Sequence, residues 1–326
     1  MLKVGSLFSG IGGICLGFQQ AGCEIVFANE FDKNACKTYR LNHPNVNLIE
    51  KDIKRIDAST LPDIDILVGG FPCQSYSLSG KKLGLKDDRG QLFFDVVRIL
   101  KEKKPKAFML ENVKNLLAVN AGEDFKTIKS ELEALGYTVI YDVLSGDTHG
   151  NTPQGRERIF ILGFLDQNCA KSFIFPSKVP LTTTLADIIK RDVKVADKYY
   201  YKSGTQYYDM INNAIVNDNI YQMRRVYMRE NKSGVCPTLT ANMGCGGHNV
   251  PVIRDNFGIR KLTPRECLLL QGFPIDFKVD LADVHIYKQA GNAVVVPLIK
   301  RIAESMIIAL TSSITSVQIE EIKFIE

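Results

Sequence analysis

The sequence predicts an α/β protein: a doubly wound, mostly parallel sheet, joined to a smaller, irregular, β-rich domain. Three observations carry this expectation. From Leu2 to Phe164, short β-rich runs alternate with helical stretches, the pattern of parallel strands connected through crossover helices. A glycine-rich turn, Ser9-Gly10-Ile11-Gly12-Gly13, follows the first of those runs. After about Phe175 the rhythm gives way to a stretch rich in Tyr, Asn and Gly, and regular patterning returns only at Thr263.

Taken in order, Lys3–Phe8 reads as the first strand. A helix runs from the glycine turn toward Gln20, with Gly22 as its stop. Glu24–Ala28 is a second strand and Asn34–Asn42 a helix. Ile64–Gly69 is a compact buried strand, and Leu92–Glu102 a helix whose closing lysines suit its dipole. Ala107–Leu110 is another strand, and Phe125–Leu135 a helix stopped by Gly136. Thr138–Leu144 and Ile159–Phe164 complete the set. Thr263-Pro264-Arg265-Glu266 has the form of a helix start with proline in the first turn. The last helix begins near Pro297 and runs to about Leu310. Its apolar positions 298, 299, 302, 306 and 307 share one face, which is expected to pack back on the first domain. The expected division is a first domain over 1–185, a second over 186–263 and a return over 264–326.

The chain has 326 residues, 45% hydrophobic and 24% charged, ordinary for a globular protein that buries a sizeable core. Met1 to Phe18 is interrupted by five glycines and has no secretory-leader core, and the most apolar later stretches are broken by Pro297 or Glu304. A cytoplasmic protein with no membrane span is expected. The eight cysteines contain no Cys-x-x-Cys pair and the four histidines are scattered. Reduced thiols, most of them small core residues, and no metal site are therefore expected. The net charge of +5 is mild, but its distribution is uneven. Ala186 to Lys261 holds 12 Lys/Arg against 7 Asp/Glu, and seven of the twelve tyrosines. A basic, aromatic-rich stretch beside a neutral remainder fits either a module that touches a polyanion or a solvated loop region.

Two regions carry chemistry. A glycine-rich turn between strand and helix lets backbone N–H groups approach a ligand, and Gly10, Gly12 and Gly13 fill that role. Glu30, twenty residues after Gly10, stands where a carboxylate accepts ribose hydroxyls. Asp52, near the edge of a third strand, could accept from an adenine amino group. The glycines alone fit a nicotinamide dinucleotide, a flavin, S-adenosylmethionine or an empty tight turn. Gly70-Phe71-Pro72-Cys73-Gln74 comes immediately after the Ile64–Gly69 strand, which places Cys73 at the ligand-carrying end of an open sheet. A Ser-, Gly- and Lys-rich run then extends from Gln74 to Gly90, suited to closing over a substrate. Glu111-Asn112-Val113 ends the next strand. Gln154-Gly155-Arg156-Glu157-Arg158 leads into the Ile159 strand, and Gln289-Ala290-Gly291-Asn292-Ala293-Val294 precedes the last helix.

This ordered set resembles the motif series of DNA (cytosine-5)-methyltransferases, above all the short bacterial restriction-modification enzymes. It comprises Ser6–Gly13, Asn29–Asp32, Gly70–Gln74, Glu111–Val113, Gln154–Arg158, Arg265-Glu266-Cys267 with Gln271-Gly272-Phe273-Pro274, and Gly291–Val294. The likeness runs from residue 5 to about 300, except for roughly 186–236. Many members carry an acidic residue where this chain has Ser6.

The resemblance implies the S-adenosylmethionine-dependent methyltransferase (Rossmann-like) fold. It implies a catalytic and cofactor-binding domain over 1–185, a target-recognition domain over 186–263, and a hinge and return over 264–326. Cys73 would be the nucleophile that attacks cytosine C6, since sulfur is both strongly nucleophilic and a competent leaving group. Glu111 would hold the exocyclic amine and share a proton at N3, its pKa raised by burial. Arg158 would clamp the cytosine carbonyl, with Arg156 supporting the loop or a phosphate. Phe8, Gly10, Gly12, Glu30, Phe31, Asp52, Pro72 and Asn292 match cofactor positions, with Ile11, Ile53, Leu92 and Ala293 beside them. Phe31 would stack on adenine or simply pack in the core. On the DNA side the resemblance points to Gln74, Ser77, Lys81 and Arg89 in the closing loop. In the recognition segment it points to Arg224, Arg225, Arg229, Thr238, Leu239, Gly246 and Gly247. The implied cofactor is S-adenosyl-L-methionine, leaving as S-adenosyl-L-homocysteine. The implied partner of a monomeric, nucleoid-associated protein is double-stranded DNA, with a cognate restriction endonuclease acting independently. Two alternatives stay open: an RNA (tRNA) cytosine-5 methyltransferase, whose usual Cys-Phe-Thr signature this chain lacks, and a catalytically inactive DNA-binding protein. A nicotinamide oxidoreductase leaves Gly70–Gln74 and Gln154–Arg158 unexplained.

Overall fold

The computed structural model describes residues 1–72, 90–205, 207–224, 227–243, 249 and 251–323, the last eleven of these as backbone only. The chain divides into two compact units. The first holds Met1–Leu144, Glu157–Ser177 and Ile299–Glu326, and the second Ser145–Arg156 and Lys178–Leu298.

In the first unit a seven-stranded sheet is built from β1 (Lys3–Leu7), β2 (Glu24–Asn29), β3 (Asn47–Ile49), β4 (Ile66–Gly69), β5 (Ala107–Val113), β6 (Thr138–Ser145) and β8 (Glu157–Phe164). The two-residue β7 (Gln154–Gly155) belongs to the second unit. The order is β3-β2-β1-β4-β5-β8-β6. Strands β1 to β5 pair in parallel, whereas β5 and β8 run antiparallel. The chain winds outward from β1 through β2 to β3, then returns to the other side of β1 at β4. That reversal is the topological switch point at which open α/β sheets leave a crevice for ligands. Residues Val4, Leu7, Ile66, Leu67, Val68, Phe108 and Leu110 are fully buried, the near-continuous apolar strands expected of a sheet covered on both faces.

The helices of this unit are α1 (Gly13–Gln20), α2 (Lys33–Asn42), α3 (Leu92–Lys103), α4 (Glu123–Ala134) and α6 (Gln167–Ser172); α5 (Gly146–His149) lies in the second unit. Asp32 caps α2 by accepting from the N–H groups of Asn34 and Ala35, which satisfies two of the orphan donors of its first turn.

The second unit is not merely irregular. It contains an antiparallel sheet of β9 (Ile220–Met223), β10 (Met228–Asn231), β12 (Pro251–Asp255) and β13 (Gly258–Lys261), in the order β10-β9-β12-β13. A short parallel pair joins β7 to β11 (Cys236–Pro237). Besides α5, the described residues of this unit form helices α7 (Leu185–Ile188), α8 (Tyr208–Ala214), α9 (Pro264–Leu269) and α10 (Asp283–Asn292). Ile211, Ile215, Tyr221, Met223, Val252 and Ile259 form a core of their own. Arg260 is wholly buried, but its charge is matched: Nε donates to Asp255 Oδ2 at 2.7 Å, and the two Nη atoms donate to the Glu266 carboxylate at 2.8 Å each. Such a fork-to-carboxylate pair fixes geometry as well as charge.

The final helix, α11 (Val296–Lys323), extends well past the expected end at Leu310. No glycine or proline comes after Pro297 to stop it. Its residues Leu298, Ile299, Ile302 and Met306 are buried. Within the first unit Ile299 faces Gly17 of α1 so closely that a Cβ there would lie 2.6 Å from the isoleucine methyl. The segment 264–298 belongs with the second unit, as does 145–156. The chain therefore crosses between the units more often than the division at 185 and 263 anticipates.

Candidate active site

The parallel register aligns three strand ends. Leu7 of β1 pairs with Gly69 of β4, and Gly69 with Leu110 of β5. The sheet itself therefore brings the residues just beyond these ends to one edge: Phe8–Gly12, Gly70–Pro72 and Glu111.

The first end makes a tight turn. Phe8, Gly10 and Gly12 all have positive φ, at 51°, 55° and 91°. Phe8 is the only one of the three with a Cβ, and it holds a conformation that costs a non-glycine residue about 1–2 kcal/mol. The Glu30 carboxylate secures the turn. Oε2 accepts from Gly10 N–H at 2.9 Å, and Oε1 accepts from the N–H groups of Phe31 and Asp32, each at 2.8 Å. Of about four lone-pair directions on a carboxylate, three are thus filled by backbone. The remaining capacity, on Oε2, is open to a ribose hydroxyl. Neighbouring Asn29 donates from Nδ2 to the carbonyls of Ile49 and Lys51, which ties the Glu30 segment to the end of β3.

Phe31 is 68% exposed, so core packing does not account for it, and its ring stands open to a planar ligand. Asp52 accepts from Lys54 N–H at 3.0 Å and caps the short turn Ile53–Arg55. Ile53 and Ile11 are buried, while Pro72 and Leu92 are half-buried. Arg98 of α3 holds the Asp52 segment from behind by donating to the carbonyls of Ile53 and Ile56 at 2.9 and 2.8 Å. The open space at Gly10, the exposed Phe31 ring and the unfilled capacity of Glu30 fit an adenosine-bearing ligand such as S-adenosylmethionine.

Below the same turn lies His43, which sequence reasoning missed because a single histidine after a helix carries no signal. It is 4% exposed. Nδ1 lies 3.0 Å from Gln19 Oε1, and the ring stacks on Tyr39 at 4.5 Å. A Cβ on Gly12 would fall 2.1 Å from His43 Nε2. Burial pushes the imidazole pKa down to about 4. Tyr39 in turn donates to Cys15 Sγ at 3.2 Å. Burial pushes the Cys15 thiol up, as suits a core residue. The six described cysteines are buried and none of them is in a disulfide.

At the second and third ends, Asn112 Nδ2 donates to Phe71 O at 3.1 Å, and a Cβ on Gly70 would lie 3.1 Å from Glu111 Oε2. The Gly70–Pro72 segment is thereby pinned beside the Glu111 carboxylate. Arg158, on the antiparallel neighbour β8, places Nε 2.9 Å from Glu111 Oε1, with both side chains largely buried. Glu111 therefore faces a guanidinium within a largely buried pair. Cys73, next in the chain after Pro72, lies outside the described residues, as do Gln74, Ser77, Lys81 and Arg89.

The structure parts two arginines that the motif places together. Arg158 faces Glu111 in the first unit, whereas Arg156 belongs to the second. Arg156 is buried there, donating from Nη1 to Leu239 O at 2.9 Å and from Nη2 to Gly291 O at 3.0 Å. These two contacts tie the Leu239 and Gly291 backbone to the Gln154–Arg156 stretch. Leu239 is 1% exposed, and Thr238 Oγ1 donates to Gly155 O. Both are tied into the packed chain of this unit, Thr238 half-buried and Leu239 in the interior.

In the same unit Arg229 is exposed on β10, and Arg224 donates to Asn249 Oδ1. Asn292 is exposed at the end of α10 and Ala293 is buried. Arg225, Gly246 and Gly247 lie outside the described residues.

Comparison with known proteins gives this geometry a context. The family model for C-5 cytosine-specific DNA methylase matches residues 2–308. The Type II methyltransferase M.Bsp6I of Bacillus sp. (strain RFL6) is 51% identical over 311 residues, 94% of this chain and 98% of that protein. The Type II methyltransferase M.SsoII of Shigella sonnei is 41% identical over 94% of this chain and 80% of its own length. The crystal structure of S. pombe Dnmt2 methyltransferase shares the fold, with a TM-score of 0.72 over 95% of this chain and 100% of that one at 19% identity. By the extent of these matches, the chain belongs to the C-5 cytosine-specific DNA methylase family.

Proposed function

We propose that the protein methylates C5 of a cytosine in double-stranded DNA, at a short specific site, as the modification half of a restriction-modification system. The Glu111–Arg158 pair carries this reading: a carboxylate and a guanidinium 2.9 Å apart, beside the backbone that leads into Pro72-Cys73. The names of the relatives, Type II methyltransferases, support it. A cognate endonuclease acting independently and a monomeric enzyme are parts of the same proposal.

The target base is inaccessible in a duplex, so it is drawn out of the stack at a cost of about a few kcal/mol. The Cys73 thiolate forms a bond to C6, and the ring's electron density shifts toward N3 and C5. Glu111 holds the exocyclic amine and shares a proton at N3. Arg158 orients that carboxyl through Nε and presents its guanidinium to the cytosine carbonyl. S-adenosylmethionine, when bound, supplies a methyl group activated by a sulfonium. Phe8, Gly10, Glu30, Phe31 and Asp52 are the residues of the first unit that would hold it. Loss of the C5 proton to a base and expulsion of the Cys73 thiolate restore the aromatic ring.

The test is incorporation of labelled methyl groups by the purified protein into duplex DNA and into transfer RNA. Labelled 5-methylcytosine in DNA is expected. Incorporation into transfer RNA alone would favour the RNA-modifying alternative, and none into either would favour an inactive DNA-binding protein.

A further inference from the structure

The second unit contains a knot of hydrogen bonds that the catalytic reading does not use. Its centre is the backbone of Leu239. The Leu239 N–H donates to Gln154 Oε1 at 3.2 Å, and its carbonyl accepts from Arg156 Nη1 at 2.9 Å. Two side chains from one three-residue stretch thus hold both polar groups of a single residue. The same stretch takes the neighbours on either side. Thr238 Oγ1 donates to Gly155 O, and Cys236-Pro237 pairs in parallel with Gln154-Gly155. Gln154 Nε2 donates onward to Leu270 O at 2.9 Å, and Arg156 Nη2 to Gly291 O at 3.0 Å. Gly291 closes the knot. A Cβ there would lie 2.2 Å from the Thr240 carbonyl carbon and 2.4 Å from Ala241 N, so the chain after Leu239 passes flush against it.

The chain turns at once beyond this footing. Met243 N–H donates to Thr240 O at 3.1 Å, Thr240 Oγ1 lies 2.7 Å from Asn242 Oδ1, and Met243 is buried while Asn242 is exposed. A buried peptide whose N–H and C=O are both held by side chains cannot slide by one residue without breaking both bonds, each costing the desolvation of the group left behind. The footing therefore fixes which residues of the adjoining turn point outward.

We propose that Gln154 and Arg156 are positioning residues for site recognition: by holding Leu239 from both sides they set the register of the Thr240–Met243 turn, and so which of its residues meet the bases of the target DNA. This rests on the DNA-methylating reading above and deepens it. Neither residue is required to touch DNA. Their loss should blur discrimination more than it slows methylation at the preferred site.

The experiment compares wild type, Gln154→Met and Gln154→Glu as full chains. Plasmid DNA of known sequence and S-adenosylmethionine are supplied, methylated cytosines are mapped by bisulfite sequencing, and thermal melts check folding. Methionine matches the shape but removes both the acceptor for Leu239 N–H and the donor to Leu270 O, whereas glutamate loses only the donor, so the two variants differ in the acceptor that holds Leu239. The wild type should modify one motif. Gln154→Met should raise methylation at sites one base pair away by about tenfold or more relative to that motif, the scale of a single mismatch penalty. Its rate at the motif itself should stay within about threefold. Gln154→Glu should stay close to the wild-type motif. An unchanged motif in Gln154→Met, an equal fall at all sites, or identical behaviour of the two variants overturns the positioning role. Should either Gln154 variant fail to melt cooperatively, Arg156→Lys, which can reach only one of the two carbonyls, is expected to show the same broadening, and an unchanged motif there is equally fatal. Failure of the functional reading itself looks different: the wild type then methylates no cytosine in the plasmid.

Discussion

Arg158 Nε sits 2.9 Å from Glu111 Oε1 across two antiparallel strands. Val113 is paired with Arg158 and Glu111 with Phe160 in that ladder, so the two charged residues are diagonal neighbours on adjacent strands. Diagonal positions on one face are within reach of long side chains. The pair is a product of register: a shift of one residue would turn Arg158 to the opposite face.

Glu111→Gln and Arg158→Ala should each lower single-turnover methyl transfer into duplex DNA by about 100-fold or more, the usual scale for losing a group that manages protons or orients one. Duplex binding in a mobility-shift assay should change far less. Rates within tenfold of wild type for both variants would remove the pair from the chemistry.

Cys73→Ser should abolish turnover while leaving DNA binding intact, since an alkoxide at neutral pH is far scarcer than a thiolate. DNA containing 5-fluorocytosine should trap a covalent adduct, because fluorine cannot leave as a cation. Mass spectrometry that finds no adduct on the peptide containing residue 73 contradicts the nucleophile assignment.

Gly12→Ala should weaken S-adenosylmethionine binding by about tenfold or more and lower the melting temperature. The position has φ +91°, and the added carbon would meet His43 Nε2 at 2.1 Å. A left-handed non-glycine residue alone costs about 1–2 kcal/mol. Replacing His43 by Ala in the same chain should recover part of the loss, as titration calorimetry can measure. Equal affinity in Gly12→Ala and wild type would show that the turn does not shape the cofactor site.

His43 also predicts a pH dependence. Burial lowers its pKa from 6.5 to about 4 in the folded protein, so between those values the unfolded chain binds a proton that the folded chain does not. Stability should therefore fall as pH drops from about 6.5 toward 4, by about 3 kcal/mol for this group, with no contribution above about 7. Urea midpoints of wild type and His43→Gln, tracked from pH 8 to 4, measure the difference. Parallel profiles for the two proteins would assign the acid sensitivity elsewhere.

Phe31→Ala should weaken cofactor binding by about fivefold to tenfold, as expected for loss of an aromatic stacking surface. The melting temperature should stay close to wild type because the ring is 68% exposed. A large loss of stability with unchanged cofactor affinity would reverse the assignment and make Phe31 a packing residue.

The alternation of strands and helices, the glycine turn at Gly10–Gly13, Glu30 at its distance from that turn, and Glu111 at a strand end were all legible in the amino-acid sequence. These depend on local chemistry: backbone conformations that only glycine tolerates, apolar periodicity, and chain order through parallel strands. The β-rich character of the second unit was legible too, but the places of its strands and their antiparallel order were not, because the strands are only four or five residues long.

The sequence by itself determined the family and the order of strands and helices, because ordered motifs constrain composition at each strand end. Only the tertiary structure decided what each motif residue faces. Arg156 and Arg158 are two positions apart in one motif, yet one braces Leu239 and Gly291 while the other holds Glu111. Thr238 is bonded to Gly155 and Leu239 to Gln154, and His43 fills the space that Gly12 leaves open. The physical reason is the same in each case. A buried polar group must find a partner wherever the packed chain supplies one, and those partners come from segments distant in sequence, which no local pattern encodes.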